Sequence, residues 1–328
     1  MARKLNWQAI LKILGTALQL EGILLLAPLA VGHIYRERPL VRVYFAVSLI
    51  CFALGTLLKK IPQKKKKRYF ARDAILATGL VWVCLSLFGA LPFWLSHEIP
   101  GYIDAFFETV SGYTTTGATI LTDIESMSRT SIFWRGLTHW VGGMGVFVLM
   151  LAILPRSGEE RFQLMQAEAP GPSISKLVPR LRTRSAILYG LYLALSVIEM
   201  IFLLAGGMPL FDSLMHTFGT AGTGGFSLYS ASIAHYDSVY FETVITVFMF
   251  LFGVNFNLYF LLLLKDFKSI WRDSELRVYF WITVFCTVTV ALNIMSMYGG
   301  FVEALRYSSF QVVSVMTTTG YATANFDA

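Results

Sequence analysis

Three stretches of the sequence end in a turn rich in threonine and glycine, and they align with one another without a gap. They are DAFFETVSGYTTTGAT from Asp104, DSLMHTFGTAGTGGFS from Asp212 and YSSFQVVSVMTTTGYA from Tyr307, aligned on Gly117, Gly225 and Gly320. Glycine adopts positive φ angles that can turn successive backbone carbonyl groups toward one axis. Rings of carbonyl oxygens replace the water around a monovalent cation. The pattern therefore predicts a cation site built from main-chain oxygens.

A segment of about ten residues precedes each turn, half of what a helix needs to cross a bilayer. Segments of this length are often re-entrant, and the partially negative C-terminal end of such a helix favours a cation at the turn. Asp104 and Asp212 stand where a helix N-cap belongs, and Glu108 is expected in the first turn of its segment. In the third copy Glu303 is expected to replace the missing aspartate. We interpret these acids as helix-capping groups rather than ion ligands.

Hydrophobic blocks long enough to cross a bilayer surround the three turns. The chain has 328 residues, of which 55% are hydrophobic and 14% are charged, whereas average soluble domains carry about a quarter charged residues. Because no signal-peptide cleavage pattern follows the N-terminus, the first block is expected to be kept as a span. The composition predicts an all-α membrane protein with seven spans, near 8–32, 40–58, 74–96, 132–154, 186–206, 239–264 and 278–298.

The positive charge lies on alternate connections between these blocks. The formal net charge is +7, with eight Lys or Arg between Lys59 and Arg72, six between Arg156 and Arg184, and four between Lys265 and Arg277. This asymmetry puts the basic connections and the N-terminus in the cytoplasm. We interpret the run Lys64–Arg68 as a topology signal that also touches anionic lipid, and not as a nucleic-acid site.

With these residues in view, the chain resembles the TrkH/KtrB/HKT superfamily of potassium transporters, and its TrkH branch most closely. The resemblance runs nearly end to end, and the two extra N-terminal spans also fit the TrkH branch. It is carried by LPFWLSHEIPGYIDAFFETVSGYTTTGAT (91–119), HWVGGMGVFVLMLAILP (139–155), QLMQAEAPGP (163–172), GTAGTGGFS (219–227), WRDSELR (271–277) and FQVVSVMTTTGYAT (310–323).

The resemblance implies four span–pore-helix–span repeats around a central pore, each lining one wall of a potassium selectivity filter. Glycine at all three visible filter positions favours K+ over Na+. The filter carbonyls are then expected from Thr115, Thr116 and Gly117; Thr223, Gly224 and Gly225; and Thr318, Thr319 and Gly320.

The resemblance also implies partners and a location. It predicts a homodimer in the bacterial inner membrane that docks a cytoplasmic ring of TrkA-like nucleotide-binding subunits. Nucleotide is expected on that ring, because neither GxGxxG nor a P-loop pattern occurs in this chain. No cofactor is expected here, with K+ as the substrate. The connection 155–185 is either a docking surface for the ring or a solvated linker.

The repeats divide the sequence into four expected parts. Residues 1–72 would hold two N-terminal spans and a basic loop, 73–155 the first pore repeat, 156–265 a cytoplasmic loop and the second repeat, and 266–328 an incomplete third repeat. The fourth repeat is expected to be absent. The predicted function is an ion-translocating potassium uptake subunit. The alternative is a non-conducting fragment or structural subunit that needs the missing repeat or a full-length homologue.

A few polar residues inside the spans have other interpretations. Glu21 and Glu199 are expected to hydrogen-bond neighbouring helices rather than line an ion path. Asn255 and Asn257 either line the inner pore or join helices. An intramembrane enzyme is not favoured, because no Ser/His or Asp/Asp arrangement occurs in matching spans.

Overall fold

A computed structural model describes residues 5–61, 71–145 and 181–324. Within these ranges all the regular structure is helical, which confirms the predicted all-α fold. The chain divides into two compact units. Unit 1 contains Met1–Thr114, Ala118–Ile120 and Ser126–Ala186, and unit 2 contains Thr115–Gly117, Leu121–Glu125 and Ile187–Ala328.

Unit 1 is built from seven helices within its described part. They are α1 (Trp7–Leu24), α2 (Leu26–Ile34), α3 (Arg38–Lys60), α4 (Ala71–Gly89), α5 (Leu91–Leu95), α6 (Tyr102–Tyr113) and α7 (Arg129–Gly143).

Glycines bring α1 and α3 into close contact. A β-carbon at Gly15 would lie 2.6 Å from the Gly55 carbonyl oxygen, and one at Gly22 would lie 2.9 Å from the Ser48 carbonyl oxygen. Small residues at such crossings let helix backbones approach in a membrane.

The N-terminus of α7 is held by Glu37, whose carboxylate accepts bonds from the amides of Arg129 and Thr130, each at 3.0 Å.

Unit 2 continues with seven further helices and one short 3-10 helix, Ser232–Tyr236, in the part that is described. The α-helices are α8 (Leu181–Ala205), α9 (Leu210–Ala221), α10 (Val239–Phe252), α11 (Phe256–Leu263), α12 (Phe267–Arg272), α13 (Ser274–Ile294) and α14 (Phe301–Met316).

The core of unit 2 lies where α8, α10 and α14 meet the segments after the turns. Its fully buried members include Leu203, Ile245, Phe310 and Tyr321. An ion pair adds to this packing, because Arg306 on α14 contacts Glu242 on α10 at 2.5 Å.

The three short helices α6, α9 and α14 each end at one of the Thr/Gly turns, as the repeat pattern predicts.

The predicted spans correspond to helices, with one correction. Five described helical segments are long and apolar enough to cross a membrane, or six if one bent pair counts as a span. The bent pair is α10 and α11, which differ in direction by 89°, so the block 239–264 is not the single straight helix that was predicted. The block 132–154 begins in α7, and its residues from 146 onward lie outside the described residues.

Local bonds explain how the chain tolerates this break. Gly253 and Val254 interrupt the helix, and the side chain of Asn255 accepts the Asn257 amide at 3.0 Å to start α11. The carbonyl of Leu251, near the end of α10, accepts a bond from the Tyr259 hydroxyl at 2.7 Å. Backbone groups at membrane depth must be satisfied within the protein, and these bonds meet part of that need.

Candidate ion-coordination site

The three Thr/Gly turns share one backbone conformation. We call them turn 1 (Thr115–Gly117), turn 2 (Thr223–Gly225) and turn 3 (Thr318–Gly320). In this order, φ is 52°, 54° and 60° at the first threonine of each turn and 78°, 68° and 80° at its glycine. The middle residue of each turn does not have positive φ. Positive φ is unfavourable for a β-branched residue such as threonine. Because the first threonine of all three turns has it, the surrounding structure must impose this conformation.

In turns 2 and 3 the amide groups point back at the preceding helix. The amides of Gly224 and Gly225 both donate to the Gly219 carbonyl, at 3.3 and 3.2 Å. Likewise, Thr319 and Gly320 donate to the Ser314 carbonyl, at 2.8 and 3.3 Å. Because N–H and C=O point in opposite directions within a trans peptide group, the carbonyls that share these peptide planes face away from the helix. Those carbonyls belong to Thr223, Gly224, Thr318 and Thr319.

The turns lie side by side within unit 2. A β-carbon at Gly117 would overlap the carbonyl oxygen of Gly224, and one at Gly225 would overlap the carbonyl oxygen of Thr319. The Thr318 hydroxyl also donates to the Thr223 carbonyl at 3.3 Å. Turn 2 therefore has turn 1 on one side and turn 3 on the other, and glycine is required at 117 and 225 for both conformation and space.

Turn 3 differs at its glycine. A β-carbon added at Gly320 would have no atom within 4 Å among the described residues. The contact that turn 1 makes with turn 2, and turn 2 with turn 3, has no counterpart beyond turn 3 in the described part of the chain. Among the described residues, turn 2 thus lies between turns 1 and 3, and the side of turn 3 at Gly320 is open.

Glu108 is the centre of a buried polar cluster within unit 1. Its carboxylate accepts bonds from the Thr119 hydroxyl at 2.9 Å, the Ile120 amide at 3.1 Å and the Arg135 guanidinium at 2.6 Å. Glu108 and Arg135 are both buried. A buried carboxylate needs such partners, since an unpaired charge there is strongly unfavourable.

Asp212 is the centre of a second cluster, within unit 2. Its carboxylate accepts bonds from the hydroxyls of Tyr236 at 2.9 Å and Tyr229 at 3.2 Å. Burial and the hydrogen bond to Asp212 raise the pKa of Tyr236. Because the single phenol proton is directed to Asp212, the contact of 3.1 Å between Tyr236 and His216 Nε2 requires the histidine to donate.

The capping predictions are corrected by these contacts. The N-caps of α6 and α9 are Gly101 and Pro209, so Asp104 and Asp212 lie in the first helical turn instead of at the cap. Glu108 lies in the middle of α6 and not in its first turn. Glu303 does bond the start of its helix, because its carboxylate accepts the Gly299 amide at 2.9 Å just before α14.

The other polar residues predicted from the sequence make contacts between and within helices. Glu21 is fully buried and accepts a bond from the Tyr113 hydroxyl at 3.3 Å, as expected for a contact between helices. Glu199 is fully buried in α8, but neither of its carboxylate oxygens has a hydrogen-bond partner among the described residues, so the bond predicted between Glu199 and a neighbouring helix is not seen. Asn255 joins α11 to α13 by donating to Glu275 at 3.1 Å, which favours the helix-joining interpretation. The polylysine run and nearly all of the connection 155–185 lie outside the described residues.

Sequence reasoning missed two residues that support the turns. Arg135 is the buried ion-pair partner of Glu108. Tyr321 directly follows turn 3, is fully buried, and its hydroxyl donates toward the carbonyls of His216 and Phe226 in the second repeat. Two sequence signals could have indicated them: Arg135 is a basic residue about 20 positions after turn 1, and Tyr321 is a tyrosine directly after the glycine of turn 3.

Membrane-length helices together with short helices that end at adjoining main-chain turns define a multi-pass, all-α membrane protein of the ion-transport class. The chain belongs to the TrkH family of cation transport proteins, whose match covers residues 41–328. This family consists of ion transporters and not of enzymes.

Individual relatives agree with this assignment. The chain is 36% identical over 325 residues to the Trk system potassium uptake protein TrkH of Salmonella typhimurium, covering 97% of this chain and 67% of the relative. It is 32% identical to the TrkG protein of Escherichia coli K12, covering 95% and 65%. The crystal structure of the potassium transporter TrkH from Vibrio parahaemolyticus matches with a TM-score of 0.84 at 29% identity, covering 98% of this chain and 66% of that one. The chain therefore spans about two thirds of the length of these relatives.

Proposed function

We propose that this chain is an ion-translocating subunit of a potassium uptake system, in which backbone carbonyls of the three turns coordinate K+. The observation that carries the proposal is that all three turns have positive φ at their first and third residues but not at the second, and that the turns lie side by side. Carbonyl oxygens presented in this way can replace the hydration shell of a monovalent cation. The names of the relatives, potassium uptake proteins, give the substrate.

The proposed coordinating groups are the nine residues of the three turns. They are Thr115, Thr116, Gly117, Thr223, Gly224, Gly225, Thr318, Thr319 and Gly320. Glycine at the third position of each turn supports a preference for K+ over Na+, and K+ is substrate here, with no resident cofactor. The C-terminal ends of α6, α9 and α14 precede the turns, so their partial negative charge favours a cation.

The proposal extends to location and partners. The chain would lie in the bacterial inner membrane with its N-terminus in the cytoplasm, as a homodimer that docks a cytoplasmic TrkA-like ring carrying the nucleotide. The Trk system named in the relatives supports a regulatory partner of this kind.

The open side of turn 3 favours a second candidate function. If a further polypeptide segment is needed to complete a ring of carbonyl groups, this chain alone would be a non-conducting structural subunit, and conduction would require that segment or a full-length homologue. Gly320, which has no neighbour at its β-carbon position among the described residues, is the observation that favours this alternative.

The test is Rb+ and K+ uptake in cells that lack their own potassium transporters. We would express the chain alone, with a TrkA-like partner, and joined to the C-terminal third of the Vibrio parahaemolyticus relative. Uptake by the chain without that extension supports the first function, and uptake only with it supports the second. If none of these forms takes up Rb+ or K+, the proposal is wrong.

Replacing Gly117 or Gly225 by serine in the active form should strongly lower K+ uptake, because the added β-carbon overlaps a backbone carbonyl oxygen of the neighbouring turn, and the uptake that remains should have a lower K+/Na+ ratio. Gly207 is the matched control, because it also has positive φ, of 91°, but lies between α8 and α9. Gly207→Ser should leave the K+/Na+ ratio unchanged.

A further inference from the structure

The residue six positions before the turn glycine is serine in two repeats and glycine in the other. This position is occupied by Ser111, Gly219 and Ser314. In unit 2 the carbonyls of Gly219 and Ser314 each receive two amide bonds from the turn that follows. The two positions are therefore structurally equivalent, although one has a hydroxyl and the other has no side chain.

The serine hydroxyl of the third repeat fixes the residue after the turn. Ser314 Oγ donates to the carbonyl oxygen of Tyr321 at 2.7 Å. The equivalent carbonyl in the second repeat belongs to Phe226, and Gly219 has no hydroxyl to offer it. The Tyr321 hydroxyl lies 3.3 Å from the Phe226 carbonyl oxygen and 3.2 Å from that of His216.

The tyrosine hydroxyl occupies the space that a serine at 219 would need. A β-carbon added at Gly219 would overlap Tyr321 Oη and would lie 2.8 Å from the Phe226 carbonyl oxygen. Glycine inside a helix is unfavourable by about 1 kcal/mol relative to alanine. The tyrosine gives a physical reason for a glycine in the last turn of α9.

Repeat 1 has serine at the equivalent position, Ser111, and the residue after its turn is Ala118. The Ser111 hydroxyl has no hydrogen-bond partner among the described residues. The exchange is therefore argued from repeats 2 and 3, where the serine bond is made in repeat 3 and the tyrosine hydroxyl faces the corresponding carbonyl in repeat 2.

We propose that Tyr321 is a positioning residue for turn 2. Its hydroxyl, supplied by the third repeat, takes the place of the serine hydroxyl that the second repeat lacks, and this sets the K+ selectivity of the site. The inference rests on the proposed function, because it assigns a role in that same carbonyl site.

Tyr321 is held firmly enough for this role. The side chain is fully buried, and its ring meets the His216 ring edge-on at a centroid distance of 5.7 Å. The next residue, Ala322, exchanges bonds with the segment after turn 2: its amide donates to Ser232 Oγ and its carbonyl accepts from the Ala234 amide, each at 3.2 Å. Turns 2 and 3 are therefore connected at both the hydroxyl and the backbone, so a change at Tyr321 should alter their spacing.

The test is a pair of substitutions that exchange the hydroxyl between repeats. Tyr321→Phe removes the hydroxyl and keeps the ring, and should lower the K+/Na+ uptake ratio about three- to tenfold, as expected for one lost hydrogen bond. Gly219→Ser alone should also lower the ratio, because the new side chain overlaps the tyrosine hydroxyl. The double variant Gly219→Ser/Tyr321→Phe should have a higher ratio than either single variant, because the overlap with the hydroxyl is gone and the serine supplies a hydroxyl. It should stay below wild type, because the new β-carbon would still lie 2.8 Å from the Phe226 carbonyl oxygen.

The control is Tyr240→Phe, which removes a tyrosine–carbonyl bond of 2.9 Å to Phe202 at an exposed position away from the turns. Membrane abundance and thermal unfolding in detergent, with K+ or Na+, are measured for every variant. A purely structural role would lower abundance or unfolding temperature without changing the ion preference.

The outcomes separate the two proposals. Wild type without selective K+ uptake in any form, or without preferential stabilisation by K+, contradicts the proposed function. A selective wild type whose ratio is unaffected by Tyr321→Phe overturns the positioning role alone. The positioning role is also overturned if the K+/Na+ uptake ratio of the double variant is no higher than that of the poorer single variant. If Tyr321→Phe does not accumulate, recovery of both abundance and selectivity in the double variant supports the role, and recovery of abundance alone contradicts it.

Discussion

Arg306 on α14 and Glu242 on α10 form a two-point ion pair, with Nε to Oε2 at 2.5 Å and the terminal guanidinium nitrogen to Oε1 at 2.6 Å. The side chain of Glu242 is 4% exposed and that of Arg306 is 23% exposed. The pair connects the helix before turn 3 to the helix that follows turn 2. Bidentate arginine–carboxylate pairs fix orientation as well as distance, so this pair holds the two repeats in one register.

Glu242→Gln should destabilise the protein, because the partly buried arginine loses its carboxylate. Breaking a fully buried pair costs about 3–5 kcal/mol, and we expect about 2 kcal/mol here because Arg306 is partly exposed. The measurement is thermal unfolding in detergent. Asp237→Asn is the matched control, since Asp237 lies 3.9 Å from the same guanidinium but is 92% exposed, and should change stability by less than about 1 kcal/mol. Equal effects of the two substitutions would contradict the assignment.

Glu108→Gln should be more damaging than Glu21→Gln, although both glutamates are buried. Glu108 neutralises a buried arginine and accepts bonds from three groups, whereas Glu21 accepts one bond among the described residues, from Tyr113. Glutamine retains an acceptor for Tyr113 but leaves Arg135 without its counter-charge. Abundance in the membrane and Rb+ uptake should fall for Glu108→Gln and stay near wild type for Glu21→Gln. Loss of uptake by a stable Glu21→Gln variant would place Glu21 on an ion path instead.

Asn255 has two separable roles at the break between α10 and α11. Asn255→Ala should lower stability by about 1 kcal/mol, as expected for the loss of a helix N-cap. Asn255→Asp keeps an acceptor for the Asn257 amide but puts a second carboxylate beside Glu275, 3.1 Å from the present amide nitrogen. If the contact between α11 and α13 matters more than the cap, Asn255→Asp will be less stable than Asn255→Ala in thermal unfolding. If the cap dominates, the order will be reversed.

Much of this architecture was predictable from the sequence, for identifiable physical reasons. The short helices and their turns were found because half-length apolar segments and Thr/Gly endings repeat in register. The cap assignments of Asp104 and Asp212 were wrong, because an acid near a helix start fits the same sequence pattern whether it is the N-cap or lies in the first turn. Asp212 instead bonds two tyrosines that follow turn 2. The break between α10 and α11 at Gly253 was missed because hydropathy reports how apolar a segment is, not whether its helix axis changes direction. The role of Tyr321 depends on contacts with the second repeat, and a sequence pattern within the third repeat cannot indicate such contacts.

The three turn glycines should differ in their tolerance of alanine, and the order reports what surrounds turn 3. Gly225→Ala combines an unfavourable positive φ with overlap of the Thr319 carbonyl, whereas Gly320→Ala adds only the conformational strain among the described residues. Strain of this kind costs about 1–2 kcal/mol, so Gly320→Ala should retain measurable Rb+ uptake while Gly225→Ala loses it. Gly207→Ala, with similar strain and no neighbour within 4 Å, is the control for conformation alone. If Gly320→Ala is as damaging as Gly225→Ala and Gly207→Ala is not, the open side of turn 3 is occupied in the active protein by residues outside the described ranges or by another polypeptide.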